Sequence, residues 1–288
     1  TISADLPGKT LQLLGQAKTN NNVIRAINGG NLAISNFLLT QNSTGSLTAT
    51  GAGSTISLNS CGVNGGVISA TGGAVINSSN CTLNSLVTSG PLNVLPSTVL
   101  ATTSGYTNNG TMLLNSTGAN AGTVFRFNSS CTIDGSGTFV LNANAANLDT
   151  SQLIWNGGGE IFTQTASHTV RGTGRIYVRF DNLGSIRADV PGRVLEITSG
   201  NAKTNRNLIQ AENGGTLSLN GVNLTQTATG QVRAQGGTVS LINSNFTEGS
   251  LVSTSNSDLF TVDGTVTFNG IYNATQMRVS AGASLRAS

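Results

Sequence analysis

The sequence predicts an all-β chain wound as a single-stranded parallel β-helix, or solenoid, with roughly 18–24 residues to each coil. Three observations predict it. Short stretches with an apolar residue at every second position recur along the whole chain. Glycine and asparagine punctuate them at near-regular intervals. A much longer repeat then carries the same pattern through the chain a second time.

The short stretches follow glycine-marked turns. GGNLAIS (29–35), STISLNS (54–60), GGAVINS (72–78), GTVFRFN (122–128), GTFVLNA (137–143), GGTLSLN (214–220) and GGTVSLIN (236–243) are examples. Strict alternation marks a half-buried strand, and the β-branched residues that dominate these stretches suit one. No segment carries the spacing of an amphipathic helix. The 37 glycines and the many asparagines fall between strands, where positive φ is tolerated.

A single coil cannot bury its own apolar residues. Coils stacked about 4.8 Å apart can, because inward Leu, Ile, Val and Phe then form continuous columns while Ser, Thr, Asn and Gln line the outside. About 14 coils fit the chain, a rod on the order of 65 Å long at that spacing. A β-sandwich is the competing architecture. It also alternates short strands and turns, but it rarely needs this much glycine and asparagine and leaves the long repeat unexplained.

The long repeat has an offset of about 184 residues. ADLPGKTL (4–11) returns as ADVPGRVL (188–195), and AKTNNNVIRAINGGNLAISNFLLT (17–40) as AKTNRNLIQAENGGTLSLNGVNLT (202–225). TGSLTATG (44–51) and TISLNS (55–60) answer to TGQVRAQG (229–236) and TVSLINS (238–244). Residues 1–184 are thus read as one long unit of the β-helix. Residues 185–288 are read as a partial second unit continuous with it. Both ends fall inside the repeating pattern, so the chain is expected to be a window on a longer tandem array.

Composition excludes several classes. Charged residues are 9% of the 288, against roughly 25% in an ordinary globular protein. The net charge of +3 comes from 14 scattered basic residues without basic runs or interleaved aromatics, so no nucleic-acid footprint is present. No apolar run reaches the roughly 18 residues that would span a bilayer.

The segments GSIRADVPGRVLEI (184–197), NGGTLSLNG (213–221) and HTVRGTGRIYVRFDNLGSIRAD (168–189) resemble the repeats of large secreted bacterial proteins. These are the filamentous-haemagglutinin-like and autotransporter-passenger-like β-helix surface proteins. The resemblance covers most of the chain and lies in architecture. It implies a right-handed winding, secretion to the cell surface or beyond, and an adhesive or scaffolding role. It transfers no catalytic residue.

Candidate chemistry is sparse. A polysaccharide-cleaving β-helix would need clustered carboxylates for Ca²⁺ or a pair of carboxylates across a cleft. The eleven acidic residues are mostly isolated in sequence. No catalytic residue, metal site or cofactor is assigned. The densest charge runs from Glu160 to Arg193. There Trp155, His168, Arg171, Arg175 and Arg179 form a candidate interaction patch for an anionic glycan or a partner surface. The plainer reading is a solvated face with ion pairs between coils. His168 by itself offers no triad.

Three cysteines sit in related contexts, LNSC (58–61), SSNCTL (78–83) and NSSCTI (128–133). Cys61 and Cys81 are one coil apart, so they are expected to stack within disulfide range and to bridge in an oxidising compartment. Cys131 is left over, and a three-cysteine zinc site lacks the usual CxxC spacing.

The leading expectation is therefore an extracellular structural or adhesive fibre segment whose partners are further copies of itself, glycans or cell surfaces. A carbohydrate-binding or carbohydrate-cleaving β-helix is the alternative, with Tyr106, Trp155, Tyr177 and Tyr272 as its scattered aromatic platforms. Ice binding would need a regular T-x-T column, which cannot be traced in the sequence.

Overall fold

The computed structural model describes residues 1–255, 258–270, 272–274 and 276–287, the side chains of 272–274 excepted. It is a parallel β-solenoid. Short strands succeed one another around three faces, and each strand pairs in parallel with the strand one coil away. The first face holds fourteen strands among the described residues, from Ile2–Ala4 to Ser284–Ala287. The second face runs from Thr10–Leu13 to Tyr272–Ala274 and the third from Lys18–Asn20 to Met277–Val279. These two faces count as one 25-stranded sheet because a single strand, Thr169–Ile176, belongs to both.

Most coils have the anticipated length, as the pairing of Val67 with Val87 and of Val23 with Ser46 shows. Two coils are longer: Tyr106 pairs with Ile133, and Cys131 with Phe162. The added residues lie between strands, at 115–122, 143–150 and 156–160, and phenylalanine fills the core beside them. Phe125, Phe127, Phe139 and Phe162 are fully buried here, with ring centroids 4.7 Å apart for Phe127–Phe162 and 4.9 Å for Phe125–Phe127.

Alternation along each strand sends one residue inward and the next outward, and register converts this into columns. On the second face one apolar column rises unbroken from Leu32 through Ile56, Phe139 and Ile209 to Leu251. An alanine column, Ala4–Ala26–Ala49–Ala70, lines the first face. Inward side chains stack on their equivalents above and below, so the thin core is still densely packed.

The repeated NGG motif has the same explanation in both copies. Asn28 and Gly29 lie at φ 54° and 74°, and Asn213 and Gly214 at 54° and 76°. A Cβ on Gly30 or Gly215 would stand 2.4 Å from the carbonyl oxygen of Ala4 or Ala188 in the coil below. The turn needs left-handed backbone and then has no room for a side chain.

The stack continues through residue 184 without a break, since Asp181 and Asn182 pair with Thr204 and Asn205. The second copy is rotated, however. Ile2–Ala4 lies on the first face, while its counterpart in the second copy, within Ser185–Ala188, lies on the second. Lys18–Asn20 lies on the third face and its counterpart, Ala202–Asn205, on the first. Counting Thr169–Ile176 as two faces, one long unit crosses twenty-five faces, or eight turns and one third.

Candidate functional site

The residues of the charge-dense segment are distributed over all three sides of the rod. Arg171 projects from the second face, Arg175 from the third and Arg179 from the first. Arg171 pairs with Asp189 at 3.2 Å and Arg187 with Glu212 at 3.4 Å. Arg175 bridges Glu196 at 2.6 Å and also contacts Asp149. On the first face Arg206 pairs with Asp181 at 2.7 Å. These pairs join neighbouring coils and offset like-charge stacking, since Arg171 and Arg187 are direct neighbours in register. The five candidate patch residues therefore form no common surface. Trp155 meets Tyr177 edge to face on the third side, with ring centroids 5.6 Å apart.

His168 is fully buried, which removes it from any surface patch. It is one member of a polar ladder that sequence alone did not single out. The Thr88 hydroxyl donates to Asn108 Oδ1 at 2.9 Å, and Asn108 Nδ2 donates to His168 Nε2 at 3.2 Å. His168 Nδ1 in turn donates to Gln164 Oε1 at 3.4 Å. The ladder continues from Gln164 to Asn182, Asn205 and Gln226, each amide also donating to a backbone carbonyl of a neighbouring coil. Asn20 and Gln41 make the same contact in the first copy. Such ladders satisfy corner carbonyls that no strand partner reaches. Burial pushes the imidazole down to about 4, although the carboxylate of Asp134 opposes the shift. His168 is thus a neutral structural amide-binder carrying its proton on Nδ1.

Cys61 and Cys81 are stacked on adjacent coils, both buried, as thiols with sulfurs 3.3 Å apart. The hydrogen bond from Cys61 holds the Cys81 sulfur below the ordinary thiol range, at about 7, while the same contact and burial push Cys61 up. Cys131 lies on the first face, where burial raises it to about 11. Among the described residues no group of three or more His, Cys, Asp or Glu side chains is placed to hold a metal ion. No helix among them is long and apolar enough to cross a membrane.

A hollow of about 510 Å³ opens on the first face across four successive coils. Its floor is an outward column in continuous register: Thr132, Thr163, Asp181 and Thr204. Arg179 and Arg206 flank it, and Asp181 is the one carboxylate lining it among the described residues. The loop after Trp155 holds one of these arginines: Arg179 Nη1 donates to the Gly159 carbonyl at 3.0 Å. Arg179 Nε is buried and makes no hydrogen bond among the described residues.

Behind the same face lies Lys203, 1% exposed. Its ammonium donates to Ser199 O at 3.0 Å, Ser199 Oγ at 2.9 Å and Asn201 O at 3.2 Å. Lys18, its counterpart in the first copy, caps Leu14 O and Gln16 O in the same way and lies 4.7 Å from the Phe37 ring. Burial, and then the charge of Arg179, lower Lys203 to about 8. A second hollow of about 400 Å³, lined by Tyr106 and Asp134, adjoins the first at Thr132.

The aromatic platforms stay apart: Tyr106 is 5% exposed, Trp155 and Tyr177 lie on another side, and the Tyr272 side chain falls outside the described residues. Thr204, Thr225 and Thr247 do form a column on the first face. The position two residues earlier reads Ala202, Asn223 and Asn245, so no second threonine column runs beside it.

No family model matches the chain, and no curated protein or solved structure matches it either. The likeness to haemagglutinin and autotransporter repeats rests on the repeat pattern, and what is shown is a parallel β-solenoid.

Proposed function

We propose that this chain is a non-catalytic segment of an extracellular fibre, in which long units follow one another along one uninterrupted solenoid. One observation carries the reading. The second copy begins in register on the coil where the first ends, with parallel pairing and apolar columns running straight through. A unit that stacks on itself this way extends without a new kind of interface. The secreted, surface-associated part of the reading is supported by the resemblance of the repeats, and by a surface of Ser, Thr and Asn with little charge. The absence of catalysis is supported by the engagement of Asp149, Asp181, Asp189, Glu196 and Glu212 with arginines.

The geometry of such a fibre follows from the fold. Eight and one third turns at about 4.8 Å give an axial rise of about 40 Å per unit and a rotation of about a third of a turn. Three units bring the same face back to the same side. Cryo-electron microscopy of the native fibre tests this. The expected image has a spacing near about 4.8 Å along the axis and a feature repeating about every 40 Å with threefold rotation. Discrete particles without axial periodicity would refute the fibre.

A further inference from the structure

We propose that the hollow on the first face, at the junction between the two long units, binds an acidic saccharide, with Arg179 holding its carboxylate or sulfate. This gives the fibre a ligand but does not rest on the fibre reading, because the site is complete within a single chain.

Charge is the first argument. Arg171, Arg175, Arg187 and Arg206 each have a carboxylate within 4.0 Å, and Arg179 has none among the described residues. Lys203, behind it, also has no carboxylate partner there; its three hydrogen bonds go to neutral oxygens. With Arg206 neutralised by Asp181, the site keeps two uncompensated cations, one of them buried. A buried cation without a counter-ion is costly, and an anion held at Arg179 would offset that cost. The guanidinium is set for such a role. Gly159 fixes it through one Nη1 bond, and its Nε is a buried donor with no acceptor among the described residues. A guanidinium so held is fixed in orientation and keeps its charge and its Nη2 edge for an oxyanion.

Shape argues for a saccharide over a lone ion. The hollow spans three inter-coil steps, about 14 Å, and its outward column presents hydroxyls at Thr132, Thr163 and Thr204, interrupted on the third coil by Asp181, whose carboxylate is engaged by Arg206. The step between coils is close to the spacing of successive sugar rings, so Thr132 and Thr163, one coil apart, can meet hydroxyls on consecutive residues. A free anion would use the arginine alone and leave the column idle.

Isothermal titration of the whole chain tests this with four probes: tetragalacturonate, a sulfated heparin tetrasaccharide, maltotetraose and inorganic sulfate. At low salt at least one acidic tetrasaccharide is expected to bind ten-fold or more tighter than both maltotetraose and sulfate. Which one does so separates a carboxylate ligand from a sulfated one. Arg179→Gln should reduce that binding at least ten-fold, with the thermal transition and circular dichroism unchanged. Should this variant misfold, Thr163→Val, on the outward column, is expected to weaken the tetrasaccharide and leave sulfate unaffected. Equal affinity for sulfate and the acidic saccharides would overturn the saccharide assignment. No binding to any acidic probe, or full binding by folded Arg179→Gln, would overturn the site. None of these results depends on whether chains form fibres.

Discussion

Lowering the pH should weaken this solenoid through one side chain. His168 sits between Asn108 and Gln164 with no exposed surface, and its ring meets Phe139 edge to face at 4.7 Å. A proton on Nε2 would face the amide nitrogen of Asn108. That amide is held in its orientation, because its oxygen already accepts from the Thr88 hydroxyl and the Gly110 N–H. Burial puts the folded-state pKa at about 4, below the ordinary 6.5. The unfolded chain therefore takes up the proton first as pH falls. The stability that His168 confers is complete above about pH 6.5, is lost progressively between 6.5 and 4, and changes no further below. A depression of that size corresponds to about 3.4 kcal/mol at most, of which about 2 kcal/mol is gone by pH 5. Because the chain has 1 histidine, its imidazole Cε1–H gives one assignable NMR signal. That signal should titrate below pH 5. In denaturant unfolding, His168→Gln should lack this segment of the pH dependence. A midpoint between pH 6 and 7, or identical pH profiles for the two proteins, would refute the reasoning.

Three further outcomes follow from the packing and the thiols. Oxidised glutathione should convert Cys61 and Cys81 to an intramolecular disulfide with release of two reduced glutathiones, read as a loss of two hydrogens by mass spectrometry; Cys131 should remain a thiol. Closing that loop is expected to stabilise the fold by about 3 kcal/mol, and Cys61→Ser should abolish the gain. Phe139→Ala opens a cavity in the longest coils and should cost about 3–5 kcal/mol in denaturant unfolding, whereas a cost under about 1 kcal/mol would mean that the aromatic cluster is not tightly packed. Gly172→Ala would place a Cβ 2.2 Å from the Leu141 carbonyl at φ 108°, so it should lower the thermal midpoint far more than Thr225→Ala on the exposed column; equal effects would contradict the corner geometry.

The candidate site was only partly legible in the chain. Proximity in sequence suggested that Trp155, His168, Arg171, Arg175 and Arg179 act together. In a solenoid, though, near neighbours in sequence lie on different sides, while residues a whole coil apart touch. Thr132, Thr163 and Thr204 are distant in sequence and contiguous on the rod. The coils that lead from Thr132 to Thr163, from Thr163 to Asp181 and from Asp181 to Thr204 all differ in length, so no single period could have aligned them. Arg179 was in view from the start, but its missing carboxylate shows only once its neighbours are paired. The stacking of Cys61 on Cys81 was easier to anticipate, because one coil of ordinary length separates them.

Neighbouring residues dictate the local rule: alternate residues inward, turn at Gly and Asn, then begin another coil. Period-two alternation and turn chemistry are properties of neighbouring residues, so they can be read without the fold. How many corners a long unit contains is not such a property. TVRGTGRI is one strand, yet it serves two faces. Gly172 and Gly174, at φ 108° and 148°, bend it around a corner where no loop intervenes, and the strands alongside leave no room for a Cβ at either position. That hidden corner adds the extra third of a turn. It sets the second copy on the next side of the rod, and only the tertiary structure could decide it, because a corner is defined by the coils stacked against it.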